Sequence, residues 1–163
     1  MNRTEIHRVG ADDWREFREV RLASLADAPE AFGSTYADWV DAAEERWRAR
    51  LTDVALTLIA RRDGRPVGVV SGSSAQLEGD EAVELISMWV CPTERGTGLA
   101  GRLIAAVVVW AEGRGLPTFL MVRVGNAAAI AAYERAGFVS TGVPADHPVD
   151  GPPELRMVLG RSG

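Results

Sequence analysis

The chain holds one cysteine, Cys91, in 163 residues. A single cysteine excludes an intramolecular disulfide and any cysteine-cluster metal site, and fits a reducing compartment. Cys91 itself reads as a small semi-apolar residue at a strand end, with no His or Cys near it in sequence to activate it. The two histidines, His7 and His147, lie far apart, and no carboxylates fall at metal-ligand spacing, so no metal is expected. Basic residues are also in deficit. Eighteen Lys and Arg stand against twenty-three Asp and Glu, a formal charge of −5. No global positive field exists to hold a nucleic-acid backbone or an anionic membrane, and any anion must be held locally. Long apolar runs are missing too. The longest, 103–110, is far short of the roughly 20 residues of a membrane helix, and the polar start at Met1 to Glu5 shows no secretory leader. No Pro/Gly/Ser linker and no fixed repeat interrupts the chain. The expectation is one cytoplasmic domain over residues 1–163, and a 47% hydrophobic composition is enough to give it one core.

Residues 4–9 read as a strand, and Asp12-Asp13 starts a helix carrying Trp14, Phe17, Val20, Arg21 and Ser24 at helical spacing, stopped by Pro29. Tyr36, Trp39, Val40, Ala43 and Trp47 predict a second amphipathic helix. Apolar runs 56–60 and 66–71 flank Asp63-Gly64 as a hairpin, and 81–90 is a further strand. Leu99, Leu103, Val107, Trp110 and Ala111 form one stripe of a helix over 97–113. The continuously apolar 118–124 predicts an interior strand parallel to 81–90, with that helix as the crossover. Asn126 caps a helix over 127–136 that Gly137 ends, and 138–141 with 155–159 close the sheet as a final pair. The five tryptophans fall at helix and strand spacings that suit packing better than a ligand cage.

Between strand and helix lies Val90-Cys91-Pro92-Thr93-Glu94-Arg95-Gly96-Thr97-Gly98-Leu99-Ala100-Gly101. A glycine turn at a helix N-terminus aims unpaired backbone NH groups at one point, which suits a phosphate or pyrophosphate, and Arg95 can add charge. The plain alternative is a tight turn and nothing more. Gly96, Gly98 and Gly101 also satisfy the dinucleotide fingerprint, but the acidic residue expected about 20 positions on is missing at Val124-Gly125-Asn126. A nucleoside-triphosphate loop fails as well, because no Gly-Lys-Ser or Gly-Lys-Thr follows.

The stretch from Val90 to Ala100 resembles the coenzyme A motif of the GNAT superfamily of acyl-CoA-dependent N-acetyltransferases, V-x-P-x-x-R-G-x-G-x-G/A. Asn126 to Phe138 resembles a second motif of that family, N-x-x-A-I-x-x-Y-x-x-x-G-F, and Arg21-Leu22 to Phe32 is similar to the first helix and loop of many of its members. The resemblance implies an α/β (α+β) fold: a mixed, V-splayed sheet of six to seven strands flanked by helices. It further implies acetyl-CoA as cosubstrate, held by Arg95, Gly96, Thr97, Gly98, Leu99 and Ala100. The pantetheine arm would lie along the backbone of Met88 and Val90, near Asn126.

Amine acylation needs a neutral amine, a stabilised tetrahedral oxyanion and a proton for the departing thiolate. The resemblance offers Glu84 as a water-relaying base, the Val90 NH as oxyanion donor and Tyr133 as general acid. Strand alternation puts Glu84, six residues before Val90, on the same face. Glu84 reads equally as an exposed strand charge, and Tyr133 also as a core tyrosine. Residues 29–36, the 81–90 strand and the 147–153 loop would bound the acceptor pocket. Glu30, Asp146 and Asp150 there would suit a cationic amine. The expected partner is an amine acceptor whose identity stays open, as does a homodimer. A non-catalytic acyl-CoA-binding regulatory module is the competing reading; it has no use for Tyr133 or Glu84.

Overall fold

The computed structural model describes residues 4–145 and 151–159. Seven strands form one sheet: β1 (Thr4–Arg8), β2 (Leu56–Arg62), β3 (Arg65–Leu77), β4 (Asp80–Val90), β5 (Thr118–Arg123), β6 (Phe138–Gly142) and β7 (Glu154–Leu159). Their order is β1-β2-β3-β4-β5-β7-β6. All neighbours are antiparallel except β4 and β5, which are parallel. The helices are α1 (Trp14–Asp27), α2 (Tyr36–Val40), α3 (Glu44–Asp53), α4 (Leu99–Gly113) and α5 (Ala127–Arg135). This is the mixed sheet flanked by helices expected from the sequence. The β2–β3 turn falls at Asp63-Gly64, both at positive φ (53° and 79°), as a two-residue hairpin of matching twist requires. The final pair is interleaved, with β7 between β5 and β6.

Two elements depart from expectation. β3 runs on to Leu77 and makes a second hairpin with β4 through Glu78-Gly79, at φ 53° and 88°. The polar run Ser71-Gly72-Ser73-Ser74 hides the strand from a search for apolar alternation. The helix expected over 36–47 is two helices, because Ala43 is extended (φ −71°, ψ 161°) and restarts the chain ahead of Glu44 and Glu45. In an unbroken helix Trp39 and Trp47 would stand about 12 Å apart along the axis. The break brings their rings to 4.8 Å. Aromatic packing outweighs helix continuity there.

Each face of the sheet has its own core. Leu99, Leu103, Ile104 and Val107 of α4 pack on Val70, Val83, Leu85 and Val90. On the other face Phe17 and Val20 of α1 and Trp47 and Leu51 of α3 pack on Ile59, Val69 and Trp89. Trp47 and Trp89 are buried, and Trp14, Trp39 and Trp110 half-buried, in keeping with their packing role. Among the described residues no helix is long and apolar enough to cross a membrane.

Candidate active site

The parallel strands β4 and β5 pair only over Val83↔Thr118, Glu84↔Phe119 and Leu85↔Leu120, then part. The cause is a bulge. Val69 and Ser71 of β3 face Trp89 and Ile86 of β4, so β4 carries one extra residue there, and Ser87 sits at φ 58°. A bulge bends its strand and raises the local twist, which turns the end of β4 away from β5.

It also reverses the side-chain alternation. Val83 and Leu85 belong to the α4 core, and so do Val90 and, at its margin, Met88, whereas Trp89 belongs to the α1 core. Glu84 and Val90 therefore lie on opposite faces, contrary to the regular alternation assumed from sequence. The backbone is re-aimed as well. The Cys91 amide donates to the Val67 carbonyl of β3, at 2.8 Å, so the main-chain groups of Val90 and, one repeat back, Met88 point to the side that β5 has left. The Arg95 Nε donates to the Val90 carbonyl on that side, at 3.2 Å.

The gap is a cleft of about 1500 Å³, lined by Glu84, Met88, Val90, Arg95, Gly96, Gly98, Leu99, Ala100, Asn126 and Tyr133. Nearly every residue singled out from sequence thus meets there. At one end Gly96 and Gly98 stand at φ 83° and 86°, and Gly98 caps α4 in the left-handed conformation. No side chain caps α4 and its first turn has no acidic residue, so its amides keep their donors for the cleft. A Cβ added at Gly96, Gly98 or Gly101 would meet no protein atom within 4 Å: open space lies over the loop. That donor set and that space fit a pyrophosphate.

Thr97 is the exception. Its hydroxyl donates to the Glu94 carbonyl, at 2.6 Å, and the residue lines a separate surface hollow beside β1, not the cleft. Helix α4 accordingly starts at Leu99 rather than Thr97. Glu94, unremarked in the sequence, is buried under the loop and accepts two hydrogen bonds from Arg62 Nη1, both at 2.9 Å. Arg95 is partly engaged: its Nη2 donates to Asp27 Oδ2 at 2.7 Å. Asp27 also accepts from Trp89 Nε1, at 2.9 Å, and these two bonds, Trp89 foremost, lower its pKa.

Asn126 caps α5, its Oδ1 accepting from the Ala129 amide at 3.2 Å. Seven residues on, Tyr133 packs its ring edge-on to Phe138 at 6.0 Å and is 7% exposed. No described residue hydrogen-bonds its hydroxyl, and burial pushes the phenol well above its ordinary pKa. Glu84 is half-buried; desolvation first, and the charge of Glu154 second, raise its carboxyl pKa.

A further wall is made by the end of α1 and the segment after it, and Asp27 ties that helix end to Arg95 of the glycine loop. Glu30, Phe32 and Ser34 line the cleft there, as do Pro152 and Pro153, while Tyr36 is exposed outside it. Asp146 and Asp150, also expected at the acceptor pocket, lie outside the described residues. Arg21 is the feature that sequence reasoning passed over as one more position of a helical stripe. It lines the cleft yet is 7% exposed, with its guanidinium 4.9 Å from the Phe32 ring. Among the described residues no group of three His, Cys, Asp or Glu could hold a metal ion.

The sequence pattern of the Acetyltransferase (GNAT) family matches residues 14–138. The chain belongs to this family. A mycothiol acetyltransferase of Streptomyces coelicolor is 34% identical over 133 residues, which make up 80% of this chain and 40% of that protein. The chain thus spans well under half the length of this relative. Among solved structures, a GNAT-family acetyltransferase from Streptococcus pneumoniae superposes with a TM-score of 0.78 over 97% of this chain and 100% of that chain, at 20% identity. The yncA protein of Salmonella typhimurium, solved with its cofactor acetyl-CoA, gives 0.72 over 99% and 96%, at 19% identity. These likenesses show the fold, a mixed seven-stranded sheet flanked by helices.

Proposed function

We propose that this family member transfers an acetyl group from acetyl-CoA to a primary amine by direct attack in a ternary complex. The observation that carries the reading is the cleft itself. It has a helix N-terminus with no side-chain cap and open space over its glycines at one end, a strand that parts from its parallel neighbour along its wall, and a carboxyl and a phenol among its lining residues. Acetyl-CoA, when bound, supplies an activated acetyl thioester.

Gly96, Gly98, Leu99 and Ala100 hold the pyrophosphate on their amides. Arg95 adds a positive charge at the rim, although Asp27 already takes part of it. The Val90 NH, freed by the bulge, donates to the oxygen on which charge develops. Glu84 takes the amine proton, directly or through water; its raised pKa makes it a stronger base than an ordinary carboxylate. Tyr133 donates to the departing sulfur. Burial keeps the phenol neutral, so its proton moves only in concert with C–S cleavage.

The test is thiol release from acetyl-CoA against a panel of primary amines. Thiol release that depends on an added amine supports the enzyme. Tight acetyl-CoA binding with no release on any amine would instead make the chain an acyl-CoA-binding regulatory module.

A further inference from the structure

Arg21 is buried and Arg50 half-buried, and neither has a carboxylate partner among the described residues. Arg21, from α1, makes no hydrogen bond there through any guanidinium nitrogen, and its Nη1 is sealed from solvent without a partner. Arg50, from α3, donates through Nη2 to Ser71 Oγ at 3.3 Å and Ser87 Oγ at 3.2 Å, while its Nη1 is likewise buried and unpartnered. Phe32 lies beneath Arg21 at 4.9 Å and Phe17 beneath Arg50 at 5.3 Å. These rings offset part of the desolvation but bring no negative charge.

Burial, with the neighbouring Arg50 as a second cause, pushes the Arg21 pKa down to about 10, and burial alone does the same to Arg50. Both stay charged at neutral pH. An uncompensated buried cation is among the costlier features a fold can keep, and two side by side repel. The carboxylates nearby do not relieve them: Asp27 is spent on Trp89 and Arg95, and the pKa of Glu84 is raised, not lowered. Arg21 lines the cleft with Phe32 and Ser34, in or beside the 29–36 segment that the family resemblance gives to the acceptor pocket.

We propose that Arg21, backed by Arg50, is a receptor for a carboxylate on the acceptor, so that the amine acetylated here belongs to a molecule that also carries a carboxylate. This rests on the acetyl-transfer reading above. The planar guanidinium presents a fork that a carboxylate fills with two parallel bonds, and the apolar ring beneath it excludes water from them. The anion would supply the negative charge that the described residues leave out, through the edge of the guanidinium that reaches the cleft. Because Arg50 bonds Ser87, at the bulge, the receptor lies about 10 Å or less along β4 from Val90. That is within reach of a small amino acid or a peptide end.

The experiment compares α- and ω-amino acids with their own carboxamides as acceptors, in wild type and in Arg21→Met, by thiol release. Wild type should favour each accepted carboxylate over its carboxamide by about tenfold or more in kcat/KM, and Arg21→Met should bring that ratio to about one. The methionine removes a buried charge while filling its volume, so the variant is expected to fold. Should its melting curve show otherwise, Arg21→Lys, which keeps the charge but loses the fork, should retain only part of the preference. A ratio near one in wild type, or an unchanged ratio in the folded variant, overturns the proposal. If no amine is acetylated at all, acetyl transfer fails but the receptor is still tested by melting. A rise of Tm with the amino acids that is lost in Arg21→Met supports it, and no rise rejects it. Inorganic phosphate that stabilises where every carboxylate fails would also overturn the carboxylate assignment.

Discussion

Replacing Tyr133 by Phe separates chemistry from packing at the leaving-group end of the cleft. The ring stays, and with it the edge-on contact to Phe138 at 6.0 Å and the wall of the cofactor cleft. Only the hydroxyl goes. It has no hydrogen-bond partner among the described residues, so its removal orphans no buried group. The stability change should stay within about 0.5 kcal/mol, which for a domain of this size moves Tm by roughly 1 to 2 °C. If that hydroxyl donates to the departing sulfur, turnover should fall by roughly 10² to 10⁴, a barrier increase of about 3 to 5 kcal/mol. CoA affinity by calorimetry should barely change, since the lost interaction forms only as the C–S bond breaks. Steady-state thiol release and thermal melting on the same preparation read both quantities. A Phe variant with wild-type turnover would refute the reasoning and leave water, or the amine itself, as the proton source. A variant destabilised by about 1 to 3 kcal/mol with normal turnover would make Tyr133 a structural residue.

Gly98→Val should abolish measurable CoA binding, because Gly98 stands at φ 86° and a branched side chain there would project into the open space over the loop. Calorimetry with unchanged affinity in the folded variant would reject this loop as the site. Arg62→Met leaves Glu94 buried without its cation and should cost about 3 to 5 kcal/mol in chemical unfolding. A loss under about 0.5 kcal/mol would show that the pair does not anchor the loop. For Glu84→Gln, the pKa shift sets the sign. The folded pKa is raised, so wild type draws stability from this group below the unfolded value near 4.3 and loses it as pH climbs through the folded value. The Gln variant should therefore gain stability relative to wild type at neutral pH, the gain vanishing in acid. It should also lose the acidic limb of the kcat/KM profile, which in wild type lies above the ordinary carboxylate range. An unaltered profile would hand proton removal to water.

Much of the fold was legible because local chemistry and tertiary structure agree. The Asp63-Gly64 turn, the α4 stripe, the Asn126 cap and the continuously apolar β5 each follow from rules that need no distant partner. The glycine loop was legible for the same reason: Gly96 and Gly98 supply conformations that other residues resist. What stayed hidden depends on contacts between segments far apart in sequence. Trp39 and Trp47 keep a helical period although the chain breaks between them, because the break brings their rings into contact. Thr97 sits inside the motif, yet turns to the Glu94 carbonyl and away from the cleft. Arg21 has the spacing of a buried stripe, and nothing in spacing tells a buried arginine from a solvated one.

The largest miss has the smallest cause. A single extra residue in β4, with Ser87 at φ 58°, defeats the two-residue period on which the reading of Glu84 and Val90 rested. The same residue explains why the site exists. Without the bulge β4 would continue alongside β5, the Met88 and Val90 backbone would be spent on a ladder, and no cleft would open between the strands. With it, the strand places a carboxyl on one face and, past the bulge, two outward-turned peptide groups beside the glycine loop. It also turns the Ser87 hydroxyl toward α3 as an acceptor for Arg50, whose charge acts on Arg21. The proposed cofactor wall and the proposed acceptor wall therefore share one structural origin. Removing the bulge by deleting Ser87 would be expected to cost both at once.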